Sequence, residues 1–312
     1  MYFPYLRGRQ YELLALRELL NANLLSSKIV PIIEPVKVAS TILSTINAFN
    51  EKQHEFIIIR TPKVGSFVSD GKKEKYNVTY KKITESLLSD NVCAGLFIEE
   101  RTYKSVDRLV ERGIPKNKMA AFCFESDKIE LLLHLFSDSA PKYNVIPYSP
   151  AFRLVRNGKR VMIEDKFKKK PRNTDYLASE DEFFSNDHLY FADEGYAGFS
   201  DYSIVGDEYL DSGFAPYAVA IHIVYFDDNK NLRIHHFVSD TSDDISDPAN
   251  KFYEALSKLV KWNKKQNLNT KAIKTFLEMY ESQTYPGLGV VKKLSIMHHI
   301  ELMGNYLDEV YK

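Results

Sequence analysis

Between residues 29 and 149 the chain repeats one pattern: a short apolar run bounded by breakers, then a stretch with apolar residues every three or four positions. The runs are IVPIIEPV (29–36), EFIIIRTP (55–62), VCAGLFIE (92–99), MAAFCFES (119–126) and YNVIPYS (143–149). They show little alternation of period two, so each reads as a parallel strand covered on both faces. The segments between them begin as helices. Ser40 precedes TILSTINAFNE, with Ile42, Ile46 and Phe49 on one face, and Ser126 or Asp127 can cap KIELLLHLF. Alternating strand and helix predicts βαβ units and a parallel sheet. A helix over about residues 9–25 precedes the first run, with Leu13, Leu16, Leu20 and Leu24 on one face, placed to cover a barrel bottom or a sheet edge.

After residue 150 the rhythm breaks. RLVRNGKRVMIEDKF reads as a β-hairpin, because Asn157-Gly158 between extended runs is a two-residue turn signal. Further strands are predicted at HLYFAD (188–193), YAVAIHIVYF (217–226) and LRIHHFVSD (232–240), the last two joined as a hairpin at DDNKN. Helices close the chain around 249–266, 270–283 and 292–311. The expected fold is α/β, an irregular (β/α)8 TIM-barrel-like single domain of residues 1–312. Within it stand a leading helix (1–28), a β-rich insertion and later strands (150–245) with antiparallel embellishment, and C-terminal helices (249–312). An open doubly wound sheet is the alternative. No internal repeat, low-complexity tract or Pro/Gly-rich linker divides the chain, which favours one domain.

The opening YFPYLRGRQYELLALREL (2–19), followed by IVPIIEPV, resembles the start of the bacterial and phage "beta protein" family. KKPRNTDY (169–176), GFSDYSIVG (198–206), HHFVSD (235–240) and YPGLGVVKKLSIMHH (285–299) resemble one bacterial subgroup of it. The resemblance implies a bacterial protein of mobile or phage-linked regions, with a role in defence as one setting, and carries over no catalytic residue.

Composition narrows the classes of function. Forty-two Lys and Arg balance 42 Asp and Glu, so no global field draws the protein to nucleic acid or an anionic membrane. Two cysteines, Cys93 and Cys123, both in apolar runs, exclude a disulfide scaffold and a Cys-rich zinc site and suit a reducing cytoplasm. No apolar run reaches the length of a membrane span, and the amino terminus lacks the pattern of a secretory signal. The neutral total hides an asymmetry: residues 159–172 carry seven Lys or Arg, whereas residues 173–229 carry none and hold 13 Asp or Glu. The basic run reads first as a solvated face, with a phosphate-binding face as the alternative.

In parallel α/β barrels the site gathers at the carboxyl ends of the strands. Those ends supply Lys37, Arg60 and Lys63 as ligands for an anion, with Asp201 placed near the mouth by the turn in GFSDYSIVG. They also supply Glu99, Glu164 and Asp193 as general acid, base or metal ligands. His222 and His235 would form a second arc of the pocket. The simpler reading of each is a helix cap, a rim ion pair or a satisfied core histidine. No metal is specified, with Mg²⁺ the cofactor that carboxylate ligands would suit. Glu164-x-Lys166 also fits the metal-and-lysine arrangement of Mg²⁺-dependent nucleases, although the neutral charge makes nucleic acid an unfavoured partner. The first expectation is an enzyme or receptor for an anionic, phosphorylated small molecule. The alternative is a non-catalytic module that holds a protein partner through residues 166–240, where aromatics cluster over 183–226 as groove or core.

Overall fold

The computed structural model describes residues 1–211 and 216–311; the expected aromatic groove over 183–226 therefore lies partly outside the described residues. Eight parallel strands form the central sheet. Six of them are β1 (Tyr5–Leu6), β2 (Ile32–Ile33), β3 (Phe56–Ile59), β4 (Val92–Phe97), β5 (Met119–Phe122) and β6 (Tyr143–Pro147). They are interleaved with α1 (Gln10–Asn21), α2 (Ser40–Lys52), α3 (Phe67–Asp70), α4 (Asn77–Glu85), α5 (Thr102–Glu111) and α6 (Ile129–Leu135). Then come β7 (Lys159–Ile163), β8 (Asp181–Ser185), α7 (Asp187–Tyr190) and β9 (Gly198–Ser200), of which β7 and β9 complete the sheet in the order β1 to β7, then β9. Its two edges meet: the Phe3 amide donates to the Phe199 carbonyl at 2.8 Å, Phe199 to Met1 at 3.1 Å, and Tyr5 to Asp201 at 2.9 Å. Edge strands that pair with one another leave no open ladder, which is what closure into a barrel achieves.

Strand alternation sorts the side chains into two layers. Phe3, Tyr5, Ile57, Ile59, Cys93, Phe97, Phe122, Tyr143, Val145 and Val161 fill the barrel interior, while Ile58, Leu96, Ala121, Ile146 and Met162 belong to a larger cluster beneath the helices. That larger cluster continues without a break into the rest of the chain. β10 (Ala220–Phe226), β11 (Leu232–Val238) and β8 make a small antiparallel sheet in the order β10, β11, β8. Behind it stand α8 (Pro248–Gln266), α9 (Lys271–Glu281) and α10 (Leu288–Val310), and α10 packs on both α1 and β10. Contact on two sides explains why α10 buries Val291, Ile296, Met297, Ile300, Met303 and Leu307 rather than a single narrow stripe. No helix among the described residues is long and apolar enough to cross a membrane.

The expected fold class is the observed one, yet two expected elements differ and two barrel strands were not expected. HLYFAD is not a strand: Asp187–Tyr190 is one helical turn, because a four-to-six-residue apolar run fits either state. β1 and β9 supply barrel strands that periodicity did not show, being two and three residues long. Asn157-Gly158 does not join a hairpin. A 3₁₀ segment, Pro150–Leu154, precedes it, and β7 pairs parallel to β6 with Val145 opposite Val161. The glycine is still required, since Gly158 has φ +79° and a Cβ there would stand 2.3 Å from the Pro141 carbonyl oxygen. Gly158→Ala is expected to cost about 2 kcal/mol or more, from left-handed backbone strain added to that overlap. An unchanged melting temperature would contradict it.

Candidate ligand site

The carboxyl ends of the barrel strands carry charge, as expected, but most of it is already paired. Glu34, fully buried after β2, accepts from the Tyr5 hydroxyl at 2.7 Å, from the Lys63 amide at 2.7 Å and from the Arg7 guanidinium. Lys63 turns its ammonium to Glu99 at 2.9 Å and Glu125 at 3.8 Å. Lys128 binds the same two carboxylates, standing 3.0 Å from Glu125. The hydrogen bond from Lys128, then that from Lys63, holds the Glu99 carboxyl below the usual carboxylate range. Glu99 is thus an ionised member of a rim network, a poor proton donor at neutral pH.

On the opposite side of the mouth, Glu164 pairs with Lys166 at 2.5 Å, and the same ammonium lies 3.0 Å from the buried Asp187. Asp201, at the end of β9, is 3 % exposed and faces α10. It accepts from the Tyr2 hydroxyl and the Ser203 amide, each at 2.7 Å, and its second oxygen is 3.9 Å from His299 Nε2. Burial, with the Asp187 charge adding to it, pushes its pKa up to about 6. Asp201 therefore serves the packing of β9 on α10 and does not reach a ligand at the mouth.

The other expected groups separate. Asp193 is exposed in the turn after α7, and the charge it presents is felt by Tyr311 at the end of α10. Lys28 and Tyr311 hydrogen-bond beside the amino end of β2, so Asp193 sits at the opposite end of the barrel from Glu99. The reason is the helical turn that replaced its predicted strand. His222 and His235 lie in the small sheet, on its opposite faces. His222 stands opposite His236, with Nδ1 to Nδ1 at 2.7 Å, whereas His235 stacks on Trp262 at 5.1 Å and meets Asp181 at 3.2 Å. Burial drives His222 well below its ordinary pKa, so the ring is a neutral partner for His236. Lys37 is exposed beside Arg9, Tyr209 and Lys292, in a cleft apart from Arg60 and Lys63. No group of three or more His, Cys, Asp or Glu among the described residues is arranged to hold a metal ion.

Arg60 is the expected anion ligand whose surroundings fit that role. After β3 its side chain leaves the barrel wall and enters a cleft of about 460 Å³ between α4 and α5, within the roughly 300–1,000 Å³ typical of small-ligand sites. Arg60 lies over the Tyr80 ring at 5.8 Å, and its Nη1 is buried with no hydrogen-bond partner. Arg108 on α5 and Arg112, the residue that caps its carboxyl end, line the same cleft four positions apart, together with Ser105 and Leu109. Like charges at that spacing repel by roughly 0.2–0.5 kcal/mol, and none of the lining residues is acidic. Val68, Leu96, Leu109 and the Tyr80 ring give the cleft an apolar wall. Sequence reasoning found Arg60 and missed Arg108 and Arg112; the same-sign pair at i and i+4 was the available signal.

Comparison of the chain with protein-family models, with curated proteins and with solved structures finds no match.

Proposed function

We propose that the protein is a receptor for an anionic small molecule, phosphorylated and carrying an apolar body, bound in the cleft between α4 and α5. The observation that carries this reading is Arg60: its side chain lines a cleft with two further arginines and no carboxylate, and its guanidinium has one buried N–H left without an acceptor, which costs about 1–3 kcal/mol. A phosphate would accept from Arg60 and relieve the repulsion between Arg108 and Arg112. The lining holds no His, Cys, Asp or Glu, so the cleft has the means to bind and lacks a general base. Binding rather than turnover follows from that composition. The resemblance of the opening strings to the "beta protein" family supports the further reading of a member of that group, with its mobile-element or defence setting as context.

Calorimetric titration with phenyl phosphate and with inorganic phosphate tests the reading. Phenyl phosphate is expected to bind more tightly, because its ring meets Val68, Leu96 and Leu109, and affinity for both is expected to fall as salt rises. The exposed pair Arg108→Glu and Arg112→Glu should weaken phenyl phosphate by about ten-fold or more, the equivalent of about 1.4 kcal/mol. Equal binding by wild type and this double variant would remove the proposal.

A further inference from the structure

The barrel's outer layer is thin over one sector. β6 passes to β7 through the 3₁₀ segment Pro150–Leu154, whereas β1 to β5 are each followed by an α-helix, and a cleft of about 590 Å³ opens there. Arg153, Arg156, Lys159 and Arg160 line it, against one carboxylate, Glu194. The four cations are not equivalent. Arg160 is fixed: it donates to the Glu194 and Gly195 carbonyls, both at 3.0 Å, and lies 4.6 Å over the Tyr196 ring. The loop is shaped to it, since Gly195 has φ +74° and a Cβ there would stand 2.7 Å from Arg160 Nη2. Arg153, Arg156 and Lys159 form no ion pair among the described residues, and Arg156 Nε donates to the Arg153 carbonyl at 3.4 Å. Beside them stands Tyr148, half exposed, its ring 6.1 Å from Tyr196 and 6.3 Å from Tyr190. An aromatic face held by two other tyrosines and flanked by three uncommitted cations is a surface for a ligand with a planar ring at one end and several negative charges at the other.

We propose that this flank cleft is a nucleotide site, with the base against Tyr148 and the phosphates on Arg153, Arg156 and Lys159, while Arg160 holds the wall. It is independent of the cleft between α4 and α5, which opens beside β3 and β4. The cleft volume of about 590 Å³ suits a single nucleotide, and the zero net charge of the chain favours that ligand over a nucleic-acid strand.

The test is titration of ATP, adenosine, inorganic triphosphate and a short single-stranded oligonucleotide into four proteins. These are wild type, Arg153→Glu with Arg156→Glu, Tyr148→Ala, and Arg108→Glu with Arg112→Glu. The first three positions are exposed, and Arg153→Gln with Arg156→Gln serves as the milder variant if the charge reversal perturbs folding. ATP affinity is expected to fall about ten-fold or more in the Arg153/Arg156 variants. It should fall about five-fold or more in Tyr148→Ala, the scale of losing one stacked base, and stay unchanged in the Arg108/Arg112 variant. Triphosphate should respond to the arginines and not to Tyr148. The proposal is overturned if ATP affinity survives both the arginine and the tyrosine changes, if it is lost only with Arg108 and Arg112, or if the oligonucleotide binds more tightly than ATP. Loss on the arginine change with none on Tyr148→Ala also overturns it, since the site would then take a bare anion.

Discussion

Replacing Glu34 with alanine is expected to lower the unfolding free energy by about 3–5 kcal/mol, the range seen when one partner of a buried ion pair is removed. The carboxylate is fully buried and joins the ends of three neighbouring strands: the Tyr5 hydroxyl and Arg7 from β1, its own position after β2, and the Lys63 amide from the loop after β3. Its loss leaves the Arg7 guanidinium, which lies over the Tyr5 and Tyr202 rings at 5.3 and 5.5 Å, without its counter-ion and with the Asp207 carbonyl as its remaining acceptor, and leaves two further donors without an acceptor. Glutamine would not rescue it, because a side-chain amide accepts at one atom and here meets three donors. Removing both charges, as Arg7→Leu with Glu34→Leu, should recover part of the loss, since no uncompensated ion then remains. Denaturant unfolding measures both: a fall in midpoint with unchanged slope gives the cost. A loss below about 1 kcal/mol for Glu34→Ala would show that the cluster is solvated rather than structural.

The same cluster shows why the strand-end charges could be found in the sequence while their roles could not. Buried runs ending in Glu34, Arg60, Glu99 and Glu164 announce a barrel rim. Whether a given charge faces inward, along the rim or outward depends on the loop that follows. Lys63 and Arg60 lie three residues apart, yet one closes a rim network with Glu99 and Glu125 and the other leaves the wall for the cleft under Tyr80. Arg108 and Arg112 read in isolation as a solvated helix face, and only the placement of α5 beside Arg60 gives them a partner role.

For the fold, five apolar runs were legible because each is long enough to lack period two and is set off by helical stretches. Residues 217–240 were legible as a hairpin from the DDNKN turn. β1 and β9 were not, because two or three residues carry no periodicity; both are held in place by neighbours on each side, as the bonds from Phe3 to Phe199 and from Tyr5 to Asp201 show. At Asn157-Gly158 the local signal marked a bend with a glycine at positive φ, and the hairpin it predicted does not form. The strand that pairs after such a bend is chosen by tertiary packing.

Stability is expected to fall steeply as pH drops below about 6.5, through two neighbouring histidines of α10. His298 and His299 are fully buried, and burial lowers their pKa values to about 4 and about 3 from an ordinary 6.5. Below pH 6.5 the unfolded chain protonates both while the folded one does not, so unfolding takes up nearly two protons at these sites, worth about 2.7 kcal/mol per pH unit, and the buried neutral His222 adds to the decline in the same sense. Asp201 works in the opposite sense. Its folded pKa, raised by burial to about 6 from 3.8, lets the folded state hold a proton between those values. As pH falls from 6 to 4 it therefore returns about 1.4 kcal/mol per unit, and the histidines still prevail. Above pH 6 the ionised Asp201 is a standing cost, so Asp201→Asn, which keeps an acceptor for the Tyr2 hydroxyl and the Ser203 amide, should stabilise the protein at pH 7 by about 3 kcal/mol. That advantage should vanish near pH 4. His299→Phe, fitting between Tyr2 and Phe184, should shallow the acid limb by about one proton. Melting temperatures from pH 8 to 4.5 for the three proteins separate these contributions. A flat wild-type profile between pH 7 and 5, or an Asp201→Asn protein less stable than wild type at pH 7, would show that water reaches the space between β9 and α10.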